Sequence, residues 1–75
     1  MGAKHHYGEC RFWKYTYGFI KEEGNHTQHY VHYTQIRDMD GYAFLVPGDR
    51  VRFEVGRGEN GNIQALNVFL LERED

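Results

Sequence analysis

The chain has 75 residues, a hydrophobic content of 40% and a formal net charge of −2 at pH 7. This length predicts one small domain with a thin core, and the single cysteine excludes an internal disulfide and a zinc site built from cysteines. The sequence contains no run of about 18 apolar residues that could span a membrane and no apolar stretch typical of a secretory signal, so we expect a cytoplasmic protein with no membrane partner.

Alternating apolar and polar residues predict β-strands along most of the chain. The fourth predicted strand, at 51–55, has the clearest alternation, whereas the alternation of the last strand slips near Ala65 and predicts a bulge there. Thr34 is the expected N-cap of a single helical turn. The predicted strands cover 10–14, 15–21, 28–33, 51–55 and 63–71.

Turn-forming residues separate these segments, and the stretch 38–46 lacks periodicity, which predicts a long surface loop carrying Tyr42 and Phe44. The last residues, 72–75, are charged and predict a solvated end. Five short strands with one long connection favour a small closed β-barrel.

The aromatic content of 16% is high for so small a chain. A thin barrel cannot enclose this many rings without overpacking, which costs about 1–3 kcal/mol per misfit. Some rings must therefore lie on the surface, where clustered aromatics are typical of a binding patch.

Two neighbouring predicted strands each project two rings from one face. If these strands pair antiparallel, the four rings form a flat platform on which nucleic-acid bases could stack. The alternative is that Tyr17 and Phe19 face the core, as large apolar residues usually do, although Gly18, Ile20 and Val31 would fill a narrow interior better. The four rings belong to Tyr17, Phe19, Tyr30 and His32.

Segments between Gly8 and Val68 resemble, in order, the cold-shock domain. Residues 15–20, Tyr-Thr-Tyr-Gly-Phe-Ile, are similar to its first ribonucleoprotein motif, commonly Lys-Gly-Phe-Gly-Phe-Ile; residues 29–34, His-Tyr-Val-His-Tyr-Thr, are similar to its second, commonly Val-Phe-Val-His-Phe-Ser. The resemblance implies an all-β fold, a five-stranded OB-type antiparallel barrel. It further implies a single cold-shock-like domain over residues 1–75, with its core at about 8–70. Further similar segments are Gly8 with 11–13, 40–51 and 64–68.

The resemblance also implies a nucleic-acid-binding surface. Phe12 takes the position of an exposed tryptophan, with Trp13 at its edge, and Tyr42 takes that of a loop aromatic that closes one end. Arg11 is expected to touch phosphate or stack, and Lys14 and Arg57 are expected phosphate contacts from their positions alone. The full set is Arg11, Phe12, Trp13, Lys14, Tyr17, Phe19, Tyr30, His32, Tyr33, Tyr42 and Arg57.

The sequence departs from the family pattern in its first hairpin, which is two residues shorter than usual. Tyr15 and Thr16 replace the usual lysine and glycine, and His29 stands where an apolar core residue is usual. Because a strained short hairpin favours strand exchange between chains, we expect either a monomer or a strand-exchanged homodimer.

No pattern indicates an enzyme, a metal site, a cofactor or a small-molecule substrate. His26, His29 and His32 recur at a spacing that places neighbours on opposite faces of a strand. The resemblance implies an inward position for Cys10, which is therefore expected to be a buried thiol. His6 is expected in a mobile end and Glu22 in a solvated turn.

The expected function is therefore binding of single-stranded RNA or DNA by base stacking on the aromatic strands, with RNA chaperone activity as one role. The alternative is a small β-barrel that acts as a protein–protein interaction module, because tyrosine-rich surfaces also suit protein interfaces.

Overall fold

The computed structural model describes residues 5–39, 41, 43–58 and 61–73. It contains five strands, and a one-turn 3₁₀ helix, Tyr33–Gln35, follows the third of them. In the described part of the chain no helix is long and apolar enough to cross a membrane. The strands are β1 (His6–Lys14), β2 (Tyr17–Glu22), β3 (Gln28–His32), β4 (Arg50–Arg57) and β5 (Ile63–Glu72).

The five strands form one antiparallel sheet in the order β3-β2-β1-β4-β5. The two outer strands, β3 and β5, lie against each other, and a parallel bridge joins Ile36 to Val68 just beyond β3. The sheet is therefore curled into a barrel, as the sequence predicts, and its outer faces remain available to solvent.

The barrel interior is filled mainly by small and branched side chains, as a narrow barrel requires. On β2 and β3, Ile20 and Val31 are fully buried, and among the described aromatic residues only Phe53 is fully buried. The rings of Tyr17, Phe19 and Tyr30 therefore point away from the core, which decides between the two interpretations of Tyr17 and Phe19. The buried core consists of Cys10, Ile20, Val31, Ile36, Ala43, Leu45, Val51, Phe53, Ala65 and Val68.

The bulge predicted near Ala65 lies two residues further along. The register of β4 with β5 passes from Arg52↔Phe69 to Glu54↔Leu66, so β5 carries one extra residue, and Asn67 adopts a φ of 49°. Asparagine tolerates this left-handed conformation better than most residues because its short polar side chain can bond locally. The Asn67 amide donates to Glu54 at 2.9 Å and accepts from Arg37 at 2.9 Å, which holds the bulge in place.

The predicted N-cap and surface loop also need correction. His32, rather than Thr34, caps the 3₁₀ turn, because its side chain accepts a bond from the Thr34 backbone N–H. In the predicted surface loop Phe44 is exposed, but Ala43 and Leu45 are buried in the core. Apolar residues two apart in an extended loop can cover one barrel end without forming a strand.

The predicted solvated end is exposed at Glu72 and Arg73, but Arg73 is also held by an ion pair, and residues 74–75 lie outside the described residues. The Arg73 guanidinium binds the carboxylate of Asp49 with Nε at 3.0 and 3.1 Å and Nη2 at 2.8 Å, and it lies over the Phe44 ring. The Asp49 side chain is 1% exposed and also accepts the Val46 backbone N–H at 2.8 Å. Hydrogen bonds that the Arg73 guanidinium donates to Asp49 raise the pKa of Arg73, so this ion pair holds Arg73, just beyond β5, against the barrel.

A second polar cluster corrects the expectations for His6 and Glu22. His6 lies in β1, and its Nδ1 is 2.6 Å from one carboxylate oxygen of Glu22, while Nε2 of His29 is 2.8 Å from the other. The Glu22 and His29 side chains are only 12% and 11% exposed, and both imidazoles pack on Phe53. Glu22 thus provides the partner that an inward-facing His29 needs.

This cluster predicts how stability depends on pH. Hydrogen bonds from His6, together with weaker ones from His29, lower the pKa of Glu22 below its ordinary value. A carboxyl whose folded pKa is depressed stabilises the fold fully above its unfolded pKa of about 4.3. That contribution is lost as the pH falls through the folded value. We expect Glu22→Gln to lower the free energy of unfolding above about pH 5, and the difference from the unmodified protein to shrink in more acidic solution.

Urea unfolding followed between about pH 3 and 7 measures this difference. Glu23→Gln is the matched control, because Glu23 is the next residue and its carboxylate is exposed. An equal, pH-independent loss in both variants would contradict the role of Glu22.

Candidate nucleic-acid interface

Four aromatic rings meet on the outer face of β1, β2 and β3, and we call them the ring cluster: Phe12, Tyr17, Phe19 and Tyr30. The Tyr17 and Tyr30 rings are stacked with centroids 5.8 Å apart, and Phe12 and Phe19 lie 6.1 Å apart. Phe19 also contacts Tyr17 and Tyr30 edge-on, at 6.2 and 6.1 Å. The cluster is a continuous aromatic surface built from three adjacent strands.

A bulge in β1 brings Phe12 onto this face. Residues two apart in a regular strand share a face, yet Cys10 is buried while Phe12 is 42% exposed. The register passes from Cys10↔Ile20 to Phe12↔Phe19, so β1 carries one extra residue, Arg11, opposite β2. The bulge reverses the phase of the strand, and Phe12 consequently lies in one cross-strand row with Phe19 and Tyr30.

Gly18 allows β1 and β2 to approach closely below these rings. A Cβ atom at this position would overlap the Phe12 carbonyl oxygen and the Trp13 indole. Glycine is therefore required by the space available between the strands, and it separates the two rings of β2 that face outward.

His32 and Tyr33 continue the aromatic surface beyond the ring cluster. His32 pairs with Tyr17 across the strands, and its ring lies 4.8 Å from that of Tyr33. Nδ1 of His32 accepts the Thr34 backbone N–H at 3.4 Å and lies 3.0 Å from the Thr34 hydroxyl. The cap that begins the 3₁₀ turn thus also orients the imidazole.

Trp13 is partly buried and is not a freely exposed ring. It packs against the core, and its indole N–H donates to the carbonyl oxygen of Tyr15 at 3.1 Å. The ring therefore supports the β1–β2 turn through this hydrogen bond and through its packing against the core.

Of the basic residues predicted for the site, two lie beside the ring cluster and one lies away from it. Arg11 is exposed on the β1 bulge, with Nη1 3.7 Å from Glu9, and Lys14 is exposed opposite Tyr17. Arg57 donates to the Gly61 carbonyl at 2.6 Å. Because β1 and β4 are antiparallel and His6 pairs with Phe53, Arg57 lies at the end of β4 that is farther from Phe12. Tyr42 lies outside the described residues.

Tyr15 is the residue whose position the sequence pattern misjudged. The predicted second strand includes Tyr15, but β1 ends at Lys14 and β2 begins at Tyr17. Because Lys14 pairs directly with Tyr17, Tyr15 and Thr16 form a two-residue turn. The shortened hairpin in the sequence already indicated that Tyr15 could belong to the turn.

The described residues contain no group of three or more His, Cys, Asp or Glu side chains arranged to hold a metal ion. Cys10 is fully buried, and burial raises the pKa of its thiol to about 11. A protonated, inaccessible thiol is a poor nucleophile, so the chemistry of the outer face is that of aromatic and basic side chains.

Comparison with known proteins agrees with this geometry. Residues 7–71 match the family model described as the 'Cold-shock' DNA-binding domain. Over 52 residues, the chain is 42% identical to cold shock-like protein CspA of Stigmatella aurantiaca, covering 69% of this chain and 74% of that protein. It is 44% identical to cold shock-like protein CspD of Escherichia coli strain K12, covering 69% of each.

The fold agrees as well. The solved structure of drosophila Unr CSD456 superimposes with a TM-score of 0.76 over 95% of this chain at 24% identity, and the chain spans 28% of that longer protein. This likeness confirms the expected OB-type barrel, and the family match extends over nearly all of the described strands. The chain therefore belongs to the cold-shock domain family, which binds nucleic acid.

Proposed function

We propose that the ring cluster and its neighbours bind single-stranded RNA or DNA by stacking of unpaired bases. The observation that carries this proposal is the set of four mutually contacting rings on the outer face of three strands. A flat aromatic surface accepts the π-face of any base, whereas bases in a duplex are already stacked on one another. A protein that holds bases apart in this way opposes hairpins in RNA, which supports a role as an RNA chaperone.

The proposed contacts fall into three groups. Phe12, Tyr17, Phe19 and Tyr30 stack directly, His32 and Tyr33 extend the surface, and Trp13 lines its edge. Arg11 and Lys14 are exposed beside the rings and are proposed to contact phosphate. Tyr42 remains a proposed contact on the strength of the family resemblance alone, and Arg57 remains one from its position in the sequence. The full proposed surface is Arg11, Phe12, Trp13, Lys14, Tyr17, Phe19, Tyr30, His32, Tyr33, Tyr42 and Arg57.

Stacking, rather than charge, is expected to supply most of the affinity. The chain has a net charge of −2, and Arg11 is paired with Glu9, so few phosphates are neutralised on binding. If about two to four phosphates lose their counterions, the logarithm of the binding constant should fall with the logarithm of salt concentration with a slope of about −1.5 to −3.

Titration of oligothymidine, followed by the fluorescence of Trp13, tests both the function and the mode of binding. We expect quenching by single strands, little effect of duplex DNA, and the shallow salt slope. Equal binding of duplex, or a slope steeper than about −6, would show that charge dominates. No response to either ligand would favour the protein–protein interaction module instead.

We propose further that one chain, folded as one domain, is the binding unit, because every ring of the cluster comes from the same barrel. In a strand-exchanged homodimer the same rings would meet, but β1 of one chain would pair with β2 of the other. We also propose that the protein acts in the cytoplasm and is not an enzyme; the buried Cys10 thiol supports the second point. Neither a cofactor nor a small-molecule substrate enters this proposal.

A further inference from the structure

Tyr15 combines two properties that are unusual together. The residue is 77% exposed, more than any other large hydrophobic residue in the described ranges, and its backbone has a φ of 53°. Left-handed backbone is costly for a residue with a bulky side chain, and two-residue hairpin turns usually place glycine, asparagine or aspartate at such a position. Tyr15 therefore places an exposed ring at a position whose backbone conformation suits a smaller residue.

Such strain persists only where surrounding contacts impose it, and it is often found at binding positions. Three contacts fix this turn. Lys14 pairs with Tyr17 across it, the Trp13 indole N–H donates to the Tyr15 carbonyl at 3.1 Å, and the Tyr33 backbone N–H donates to the Thr16 carbonyl at 2.9 Å. Tyr15 is therefore held in one place and is not on a freely moving loop.

The same contacts place Tyr15 at one end of the aromatic surface. Tyr17 follows two residues later and pairs with His32, whose ring lies against Tyr33, and Tyr33 is bonded to the turn itself. A single strand that crosses the ring cluster toward His32 and Tyr33 would reach the turn next. Lys14, exposed and adjacent, lies where it could meet the phosphate of that nucleotide.

We propose that Tyr15 forms an additional stacking position, which accepts one more base of a single strand whose other bases lie on the ring cluster. This inference rests on the proposed function and deepens it by extending the binding surface onto the β1–β2 turn. The position arises from the two-residue shortening of the hairpin, which replaces a longer loop by a ring held in a fixed turn.

The test compares oligothymidines of about four and about eight nucleotides, which span the range from the ring cluster alone to the cluster plus the turn. We expect Tyr15→Gly to weaken binding of the longer strand about tenfold, the effect of losing one stacked base, and to leave the shorter strand unaffected. Because glycine suits a positive φ, the variant should melt no lower than the unmodified protein.

Two controls separate ring stacking from a structural effect. Tyr15→Phe keeps the ring and should bind both lengths as the unmodified protein does. Ile63→Ala removes another exposed apolar side chain, at the start of β5, and should also change neither affinity.

An unchanged affinity of Tyr15→Gly for the longer strand would overturn the inference while leaving the proposed function intact, and so would an equal loss for both lengths. Failure of the unmodified protein to bind either length would overturn the proposed function and this inference together.

Discussion

Phe19→Ala should weaken binding of a short oligothymidine by about 5- to 150-fold, which corresponds to the 1–3 kcal/mol of one stacked base. Phe19 lies on the middle strand of the ring cluster, and its ring contacts those of Phe12, Tyr17 and Tyr30. Its removal takes away one stacking surface and the contacts that Phe19 makes with the neighbouring rings. The fluorescence titration of Trp13 measures the loss.

Phe69→Ala provides the matched control for this change. Phe69 is a half-buried ring on β5, where it packs under the Arg52 guanidinium at 4.8 Å. Phe19→Ala removes contacts with neighbouring rings worth about 0.5–1.5 kcal/mol each, and Phe69→Ala removes a cation–π contact worth about 0.5–1 kcal/mol, so both variants should fold with a lowered Tm. Only Phe19→Ala should lose affinity; equal affinities of the two variants would show that the ring cluster is not the binding surface.

Asp49→Ala should destabilise the protein by about 2–4 kcal/mol, because it removes the partner of a guanidinium and an acceptor of a backbone N–H. Asp49 is 1% exposed and binds both Arg73 and the Val46 backbone N–H. For a domain of this size, the expected loss corresponds to a fall in Tm of more than about 10 °C. Thermal unfolding followed by circular dichroism measures it.

Glu23→Ala is the control, since Glu23 and Arg50 form an ion pair of similar length, 2.7 Å, with both side chains exposed. Exposed pairs add little stability because water and salt screen them, so this variant should melt close to the unmodified protein. Arg73→Lys adds a gentler change: it keeps the charge but loses the two-nitrogen fork that binds Asp49, and its Tm should lie between the other two. Similar Tm values for Asp49→Ala and Glu23→Ala would show that burial of Asp49 contributes nothing.

The position of the ring cluster could be predicted only in part. The alternation of β2 and β3 separates Tyr17, Phe19 and Tyr30 from Ile20 and Val31, and the family resemblance indicates which set faces outward. The side chain of Phe12 could not be assigned to a face in this way, because the bulge at Arg11 reverses the phase of β1. A bulge depends on how a strand fits both of its neighbours, and alternation within one strand does not contain that information.

Polar partners far apart in the chain were the least predictable feature. Asp49 and Arg73 are 24 residues apart, and His6 and Glu22 are 16 apart. Each residue by itself has the pattern of an ordinary solvated side chain at a turn or chain end. Only the closing of the barrel shows that Glu22 and Asp49 lose contact with water and must therefore be paired.

The sequence by itself determined the class of this protein. It shows the periodicity of strands, small or branched residues at the inward positions, and more aromatic rings than a narrow barrel can enclose. The tertiary structure decided which individual side chains cooperate. It placed Phe12 beside Phe19, held Tyr15 in the turn and paired Glu22 with two imidazoles. The physical reason is that periodicity reflects the local geometry of a strand, whereas register, bulges and buried ion pairs depend on segments that meet only when the chain has folded.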